Sequence, residues 1–190
     1  MNITPLAIED ILLITPVVHG DERGYFMESY RQDILERALG YSVKFTQDNE
    51  SLSSRGVLRG LHYQLPPFAQ SKLVRVIEGE VLDVAVDVRV GSPTFGQHVS
   101  AILSADNKQQ LFIPRGFAHG FVVLSETALF TYKVDNPYAP ELDAGIHFAD
   151  SALGIDWQLS PGDILTSAKD AELPSLNLRL EQQPDTLFHY

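Results

Sequence analysis

Glu80-Val81-Leu82-Asp83-Val84-Ala85-Val86-Asp87-Val88-Arg89 alternates without a break, and Gly91-Ser92-Pro93 turns the chain directly after it. Successive side chains of a strand face opposite ways, so Leu82, Val84, Val86 and Val88 share one face while Asp83 and Asp87 share the other. This is the pattern of a half-buried strand. Similar short apolar runs lie on both sides of it: Tyr25 to Tyr30, Val43 to Asn49, Gly56 to Tyr63, Lys72 to Val76, Gln97 to Leu103, Gln110 to Ile113, His119 to Leu124 and Ala128 to Val134. Short strands at close, even spacing with turn residues between them predict an all-β sandwich or barrel. Helical periodicity is scarce, and the clearest case is Arg31 to Leu39. There Ile34, Leu35, Ala38 and Leu39 form one apolar stripe and Gly40 supplies the stop. From about Ala152 onward the pattern loosens into turns and short apolar pieces, which predicts a C-terminal flap wrapped over the strands.

The 190 residues, 44% of them hydrophobic, suffice for one proper core, so a single domain over residues 1–190 is expected. A formal charge of -11 argues against a nucleic-acid partner or an anionic membrane surface, because such binding depends on a basic field. With no cysteine there are no disulfides, thiolate metal sites or cysteine nucleophile, which fits a cytoplasmic protein. The first 25 residues carry no signal-peptide pattern: their best apolar run, Ile11 to Ile14, is short, stops before Pro16 and has no basic stretch ahead of it. No segment approaches membrane-spanning length.

Four polar residues break the apolar rows. Lys72 shares a strand face with Val74 and Val76, His119 with Phe121 and Val123, and Tyr132 with Phe130 and Val134, while His62 lies in Arg59-Gly60-Leu61-His62-Tyr63-Gln64. Singly, each has an ordinary explanation: Lys72 at a strand mouth reaching water along its stem, or a core tyrosine with its hydroxyl satisfied. Together on the strands of one barrel they are hard to satisfy without a wet functional cavity.

Pro114-Arg115-Gly116-Phe117-Ala118-His119 matches the Pro-x-Gly-x-x-His of the second cupin motif, which implies a cupin-type jelly roll, or double-stranded β-helix, with a short N-terminal helix. The first cupin motif supplies His-x-His and a glutamate to a metal, whereas here Gln64 stands where the second histidine belongs. Two scattered histidines make a poor transition-metal site, so a cupin without a metal is expected.

At the level of whole blocks the chain resembles the dTDP-4-dehydrorhamnose 3,5-epimerase family. The resemblance rests on Arg59 to Gln64, Lys72 to Val76, Gly79 to Arg89, Ser92 to Gly96, Ile113 to Phe121, Tyr132-Lys133, Tyr138-Ala139-Pro140 and Ala152 to Trp157, within a stretch from about residue 5 to residue 175. It implies a cofactor-independent isomerase that converts dTDP-4-dehydro-6-deoxy-alpha-D-glucose to dTDP-4-dehydro-beta-L-rhamnose by inverting carbons 3 and 5, and a homodimer that exchanges N-terminal strands. Both carbons lie beside the carbon 4 ketone, so each hydrogen can leave as a proton if the enolate is stabilised. An imidazole titrates near about 6.5, close to working pH, which suits the base.

By resemblance His62 is that base, Asp170 orients it, Lys72 stabilises the oxyanion and Tyr132 is the acid on the opposite face. The same resemblance implies that Arg23 and Arg59 hold the diphosphate, that Gln47 and Asn49 read the thymine edge, and that Asp48 is a further substrate-binding residue. Tyr138 would stack on the base, Glu28 would add a hydroxyl contact, and His119, Asp143 and Lys169 would complete the substrate contacts. The family more often has glutamate at position 143, and Asn136-Pro137 ahead of Tyr138 is also unusual. Two alternatives remain open: a relative that inverts a single carbon, and a non-catalytic cupin that only binds a nucleotide sugar.

Overall fold

The computed structural model of the chain describes residues 1–182 and 187–189. β1 (Asn2–Pro5) and β2 (Leu12–Thr15) open it, and β3 (Val18–Asp21) and β4 (Gly24–Met27) form an exposed hairpin. α1 (Gln32–Leu39) follows, then β5 (Gln47–Ser54), β6 (Leu58–Gln64), β7 (Lys72–Glu78), β8 (Glu80–Asp87) and β9 (Arg89–Val90). Next come β10 (His98–Ser104), β11 (Gln110–Ile113), β12 (Phe117–Val123), β13 (Thr127–Val134) and β14 (Asp143–Gly145). The C-terminal part carries α2 (Ala168–Ala171), α3 (Leu176–Gln182) and β15 (Phe188–His189). A six-stranded sheet in the order β1-β2-β11-β7-β13-β5 packs against a five-stranded sheet in the order β10-β8-β12-β6-β14, giving a jelly roll.

The apolar rows on the inner faces, including Val74, Val76, Val81, Ala85, Phe121 and Phe130, form one core between the sheets. Each sheet also has a covered outer face. On the six-stranded sheet Leu12, Ile14, Leu73 and Phe112 pack under Leu35 and Val43, so the α1 stripe has a sheet to bury itself against. Gly40 ends α1 in the left-handed conformation, at φ 76, and its N–H returns to the Glu36 carbonyl.

The outer face of the five-stranded sheet overturns the expectation of a half-buried β8. Leu82, Val84, Val86 and Val88 point outward, where Leu153, Trp157, Leu176 and Leu187 cover them. Asp83 and Asp87 point inward and are each 0% exposed. A buried carboxylate survives only with partners, and both have them. Asp87 accepts from the Arg89 guanidinium, Ser92 Oγ and Thr94 Oγ1 at 2.6 to 2.9 Å, and Asp83 meets His119. The predicted C-terminal flap is thus the cover of an apolar sheet face, where each fully buried Leu or Val contributes roughly 1.5–3 kcal/mol.

Two other expected strands shift. Tyr25 to Tyr30 is strand only as far as Met27, and the run from Val43 becomes strand only at Gln47, continuing through polar residues to Ser54. β5 is the edge of its sheet and pairs with β13 alone, so its outer row needs no apolar side chains.

An irregularity between β6 and β12 positions the site. His62 pairs with His119 and Arg59 with Phe121, so β6 carries one residue more than β12 over the same span. The extra residue brings Arg59 and His62 to the same side, although strict alternation would separate them. The strands approach closely here: a Cβ on Gly120 would lie 2.7 Å from the Arg59 carbonyl oxygen and 3.0 Å from Gly60 Cα. Gly120→Ala is expected to destabilise the protein by about 1–3 kcal/mol through overpacking, read as a lower urea midpoint at unchanged slope. An unchanged midpoint would show that the strands part there at no cost.

Candidate active site

At one end of the core the two sheets leave a cavity of about 650 Å³. Its walls include Asn49 from β5, Arg59 and His62 from β6, Lys72 from β7, His119 from β12, Tyr132 from β13, and Lys169 and Asp170 from α2. The five-stranded sheet supplies His62 and His119, and the six-stranded sheet supplies Lys72 and Tyr132. Because His62 and His119 are register partners on adjacent strands, their rings share one wall. Tyr132 faces them from the other sheet.

His62 Nε2 lies 2.6 Å from Asp170 Oδ1. Ser167 caps α2 by accepting the Asp170 N–H at 3.1 Å, which fixes the carboxylate in place. Burial alone would raise the Asp170 carboxyl, but hydrogen bonds from His62, the Gly60 N–H and Ser167 outweigh it and hold the group below the usual carboxylate range. An ionised Asp170 has only acceptors to offer, so Nε2 carries the proton and Nδ1 is left as the basic nitrogen.

Lys72 is 8% exposed, so its interior placement prevails over the strand-mouth alternative. Its ammonium donates to the His62 carbonyl at 3.3 Å. Burial pushes its pKa down to about 8, against the opposing pull of Asp143 and Asp83. Burial also raises the Tyr132 phenol above its ordinary value, with Arg59 opposing, so the hydroxyl keeps its proton at neutral pH. One cavity therefore holds a carboxylate-backed imidazole, a buried ammonium and a protonated phenol. This set can take a proton from carbon, hold charge on an adjacent oxygen and return a proton from the far side.

The family model described as dTDP-4-dehydrorhamnose 3,5-epimerase matches residues 5–177. The chain belongs to this family. It is 57% identical over 172 residues to the dTDP-4-dehydrorhamnose 3,5-epimerase of Pseudomonas aeruginosa, covering 90% of this chain and 94% of that protein. It is 54% identical over 177 residues to the enzyme of the same name from Escherichia coli K12, covering 93% and 95% respectively. A crystal structure of dTDP-6-deoxy-D-glucose-3,5-epimerase from Legionella pneumophila in complex with dTDP-4-keto-L-rhamnose superposes with a TM-score of 0.94 at 50% identity, over 100% of this chain and 98% of that one.

Of the other residues implied by the resemblance to the 3,5-epimerase family, Asn49, Arg59 and Lys169 line the cavity, and Gln47, Tyr138 and Asp143 join them through hydrogen bonds. Arg59 Nε donates to Ser53 Oγ at 3.2 Å, and Gln47 Nε2 donates to Asn49 Oδ1 at 2.8 Å. The side-chain Oε1 of Gln47 accepts the Tyr138 N–H at 3.2 Å, Tyr138 donates its hydroxyl to Asp143 Oδ2 at 3.3 Å, and Lys169 pairs with the same oxygen. Three expected residues are not brought to the cavity within one chain. Asp48 falls on the opposite face of β5 from Asn49 and pairs with Lys133, as strand alternation requires. Arg23, at the tip of the exposed hairpin, pairs with Asp21, and Glu28 pairs with Arg31.

Gln64 has a different employment from the metal ligand whose place it takes. Its amide donates to the carbonyls of Phe68 and Pro137 and accepts the Ala139 N–H, fixing the loop that carries Tyr138. Asp83 and Ser53 are not among the residues that the sequence points to. Asp83 carries a signal, an acidic residue repeating at strand spacing, but a half-buried β8 would turn it to solvent. Ser53 carries none.

The Lys72 ammonium is present below a pH of about 8 and is lost above it. Turnover is therefore expected to decline as pH rises through that value, and Lys72→Arg, whose guanidinium stays charged, should move the decline upward. A wild-type rate that stays flat to pH 10 would mean that the Lys72 charge is not used.

Proposed function

We propose that this chain, as one domain over residues 1–190, is a cytoplasmic dTDP-4-dehydrorhamnose 3,5-epimerase that needs no metal or cofactor. The observation that carries the reading is the placement of His62, backed by Asp170 of α2, on one sheet and Tyr132 on the other, across a single cavity that also holds Lys72. His62 takes the hydrogen of carbon 3 or carbon 5 as a proton. The electron pair moves to the carbon 4 oxygen, and the Lys72 ammonium stabilises the resulting enolate. A preorganised cation in such a site contributes roughly 3 to 4 kcal/mol. Tyr132 then delivers a proton from the opposite face, inverting the carbon. Solvent restores the phenol and takes the proton held by His62.

Arg59, held by Ser53 at the mouth, has the planar fork that suits a diphosphate. Tyr138, 53% exposed beside Asp143 and Lys169, offers an aromatic face for the thymine ring. Among the described residues no helix is long and apolar enough to cross a membrane.

The partner in this reading is a second copy of the chain. The β3–β4 hairpin exposes Val18, Tyr25 and Phe26, the last at 68%, and stands away from the cavity with Arg23 at its tip. β5 is an open sheet edge, and its Asn49, Glu50 and Ser51 line the cavity. An open edge invites another strand. Exchange of N-terminal strands there brings the neighbour's hairpin residues toward the nucleotide end of the site.

Proton NMR of the protein with dTDP-4-dehydro-6-deoxy-D-glucose in deuterated water tests the activity, with deuterium expected at both carbons 3 and 5. Tyr132→Phe keeps the ring and removes only the acid. Deuterium exchange should survive in that variant while formation of the L-sugar falls about 100-fold to 10,000-fold. L-sugar formation at the wild-type rate would reduce Tyr132 to a packing residue, and exchange at one carbon in the wild type would replace double with single inversion. Light scattering at micromolar concentration is expected to give about twice 21.1 kDa; a fully active monomer would contradict strand exchange.

A further inference from the structure

Asp83 is a fully buried carboxylate that the proposed mechanism leaves without a role. It stands at the centre of β8, and both its oxygens approach the same atom, His119 Nε2, at 3.0 and 2.9 Å. The ring lines the cavity, and its described hydrogen bonds all run through Nε2. A protonated carboxyl would donate through one oxygen, whereas two oxygens straddling one nitrogen is the arrangement of an acceptor pair around a single N–H. We propose that Asp83 is a positioning residue that locks His119 in the Nε2–H tautomer, so that Nδ1 meets the substrate as a hydrogen-bond acceptor and binds a hydroxyl of the sugar ring rather than the diphosphate. A phosphate oxygen has nothing to donate, while a sugar hydroxyl does.

Burial pushes the Asp83 carboxyl up, against the opposing pull of His119 and Lys72, so the contact of both oxygens with one nitrogen carries the assignment. Burial holds His119 below its ordinary pKa, against the opposing pull of Asp83, and the neighbouring charges of Lys72 and His62 disfavour a second proton further. Phe130, stacked at 6.3 Å between ring centroids, offers no polar alternative on that side. Arg59 is already placed at the mouth for anionic groups, so the two polar ends of the substrate have separate readers.

The inference rests on the epimerase reading, and two experiments keep their failures apart. Nitrogen-15 NMR of the histidine-labelled wild-type protein reports the tautomer of His119 directly, with Nε2 expected protonated and Nδ1 bare at neutral pH. That measurement needs neither turnover nor a variant. Protonation of Nδ1, alone or with Nε2, would overturn the proposal even for an active epimerase. The second experiment uses Asp83→Asn, whose amide can donate to Nε2 and drive the proton to Nδ1. The KM for the sugar nucleotide should rise about tenfold while the Kd for dTDP alone stays unchanged. A parallel loss of dTDP affinity would assign His119 to the diphosphate and overturn the proposal. Should Asp83→Asn fail to fold, the wild-type NMR still decides. An inert wild-type enzyme with the expected tautomer would sink the epimerase reading and, with it, the assignment to a sugar hydroxyl.

Discussion

A strand buried on both faces has no solvent side on which to place a charge, and β8, β12 and β7 of this jelly roll are all largely in that position. Every polar group on them must be bonded within the protein or turned toward a cavity that admits a ligand. Asp87 takes the first course, enclosed by Arg89, Ser92 and Thr94. Lys72 and His119 take the second, and Asp83 supports His119 from behind. The cavity is therefore the place where the constraint on the core is relaxed, and the groups that could carry the chemistry sit there.

The outer layers make that constraint possible. Without the C-terminal cover, Leu82, Val84, Val86 and Val88 would lie in water, and without α1 the same would hold for Leu73 and Phe112. The fold thus has three apolar layers around two sheets, and the middle layer is interrupted at the cavity and at the bonded cluster around Asp87.

How much of this was legible in the sequence follows from the range of the interactions. Strand alternation is local, so Gln110–Ile113 and the strand containing Tyr132 read correctly, as did α1 with its glycine stop. The inward direction of Lys72, His119 and Tyr132 followed from their apolar neighbours at a spacing of two. What alternation cannot say is which face of a doubly covered strand looks inward, and Asp83 was misplaced for that reason. The extra residue in β6 that aligns Arg59 with His62 is likewise invisible, because a bulge is a relation between two strands. Nothing local distinguishes Asp170 in Ser167-Ala168-Lys169-Asp170, and only the family resemblance points to it.

The pair of His62 and Asp170 closes across 108 positions of sequence. On the ribosome, the strand bearing His62 emerges long before the short helix bearing its carboxylate. The same late segment supplies Trp157 and Leu176 to the outer face of the five-stranded sheet. A nascent chain halted ahead of it has an unsupported imidazole and an uncovered hydrophobic sheet at once. Chemical competence and the cover of the apolar face therefore arrive together, with the one segment that supplies both Asp170 and Trp157.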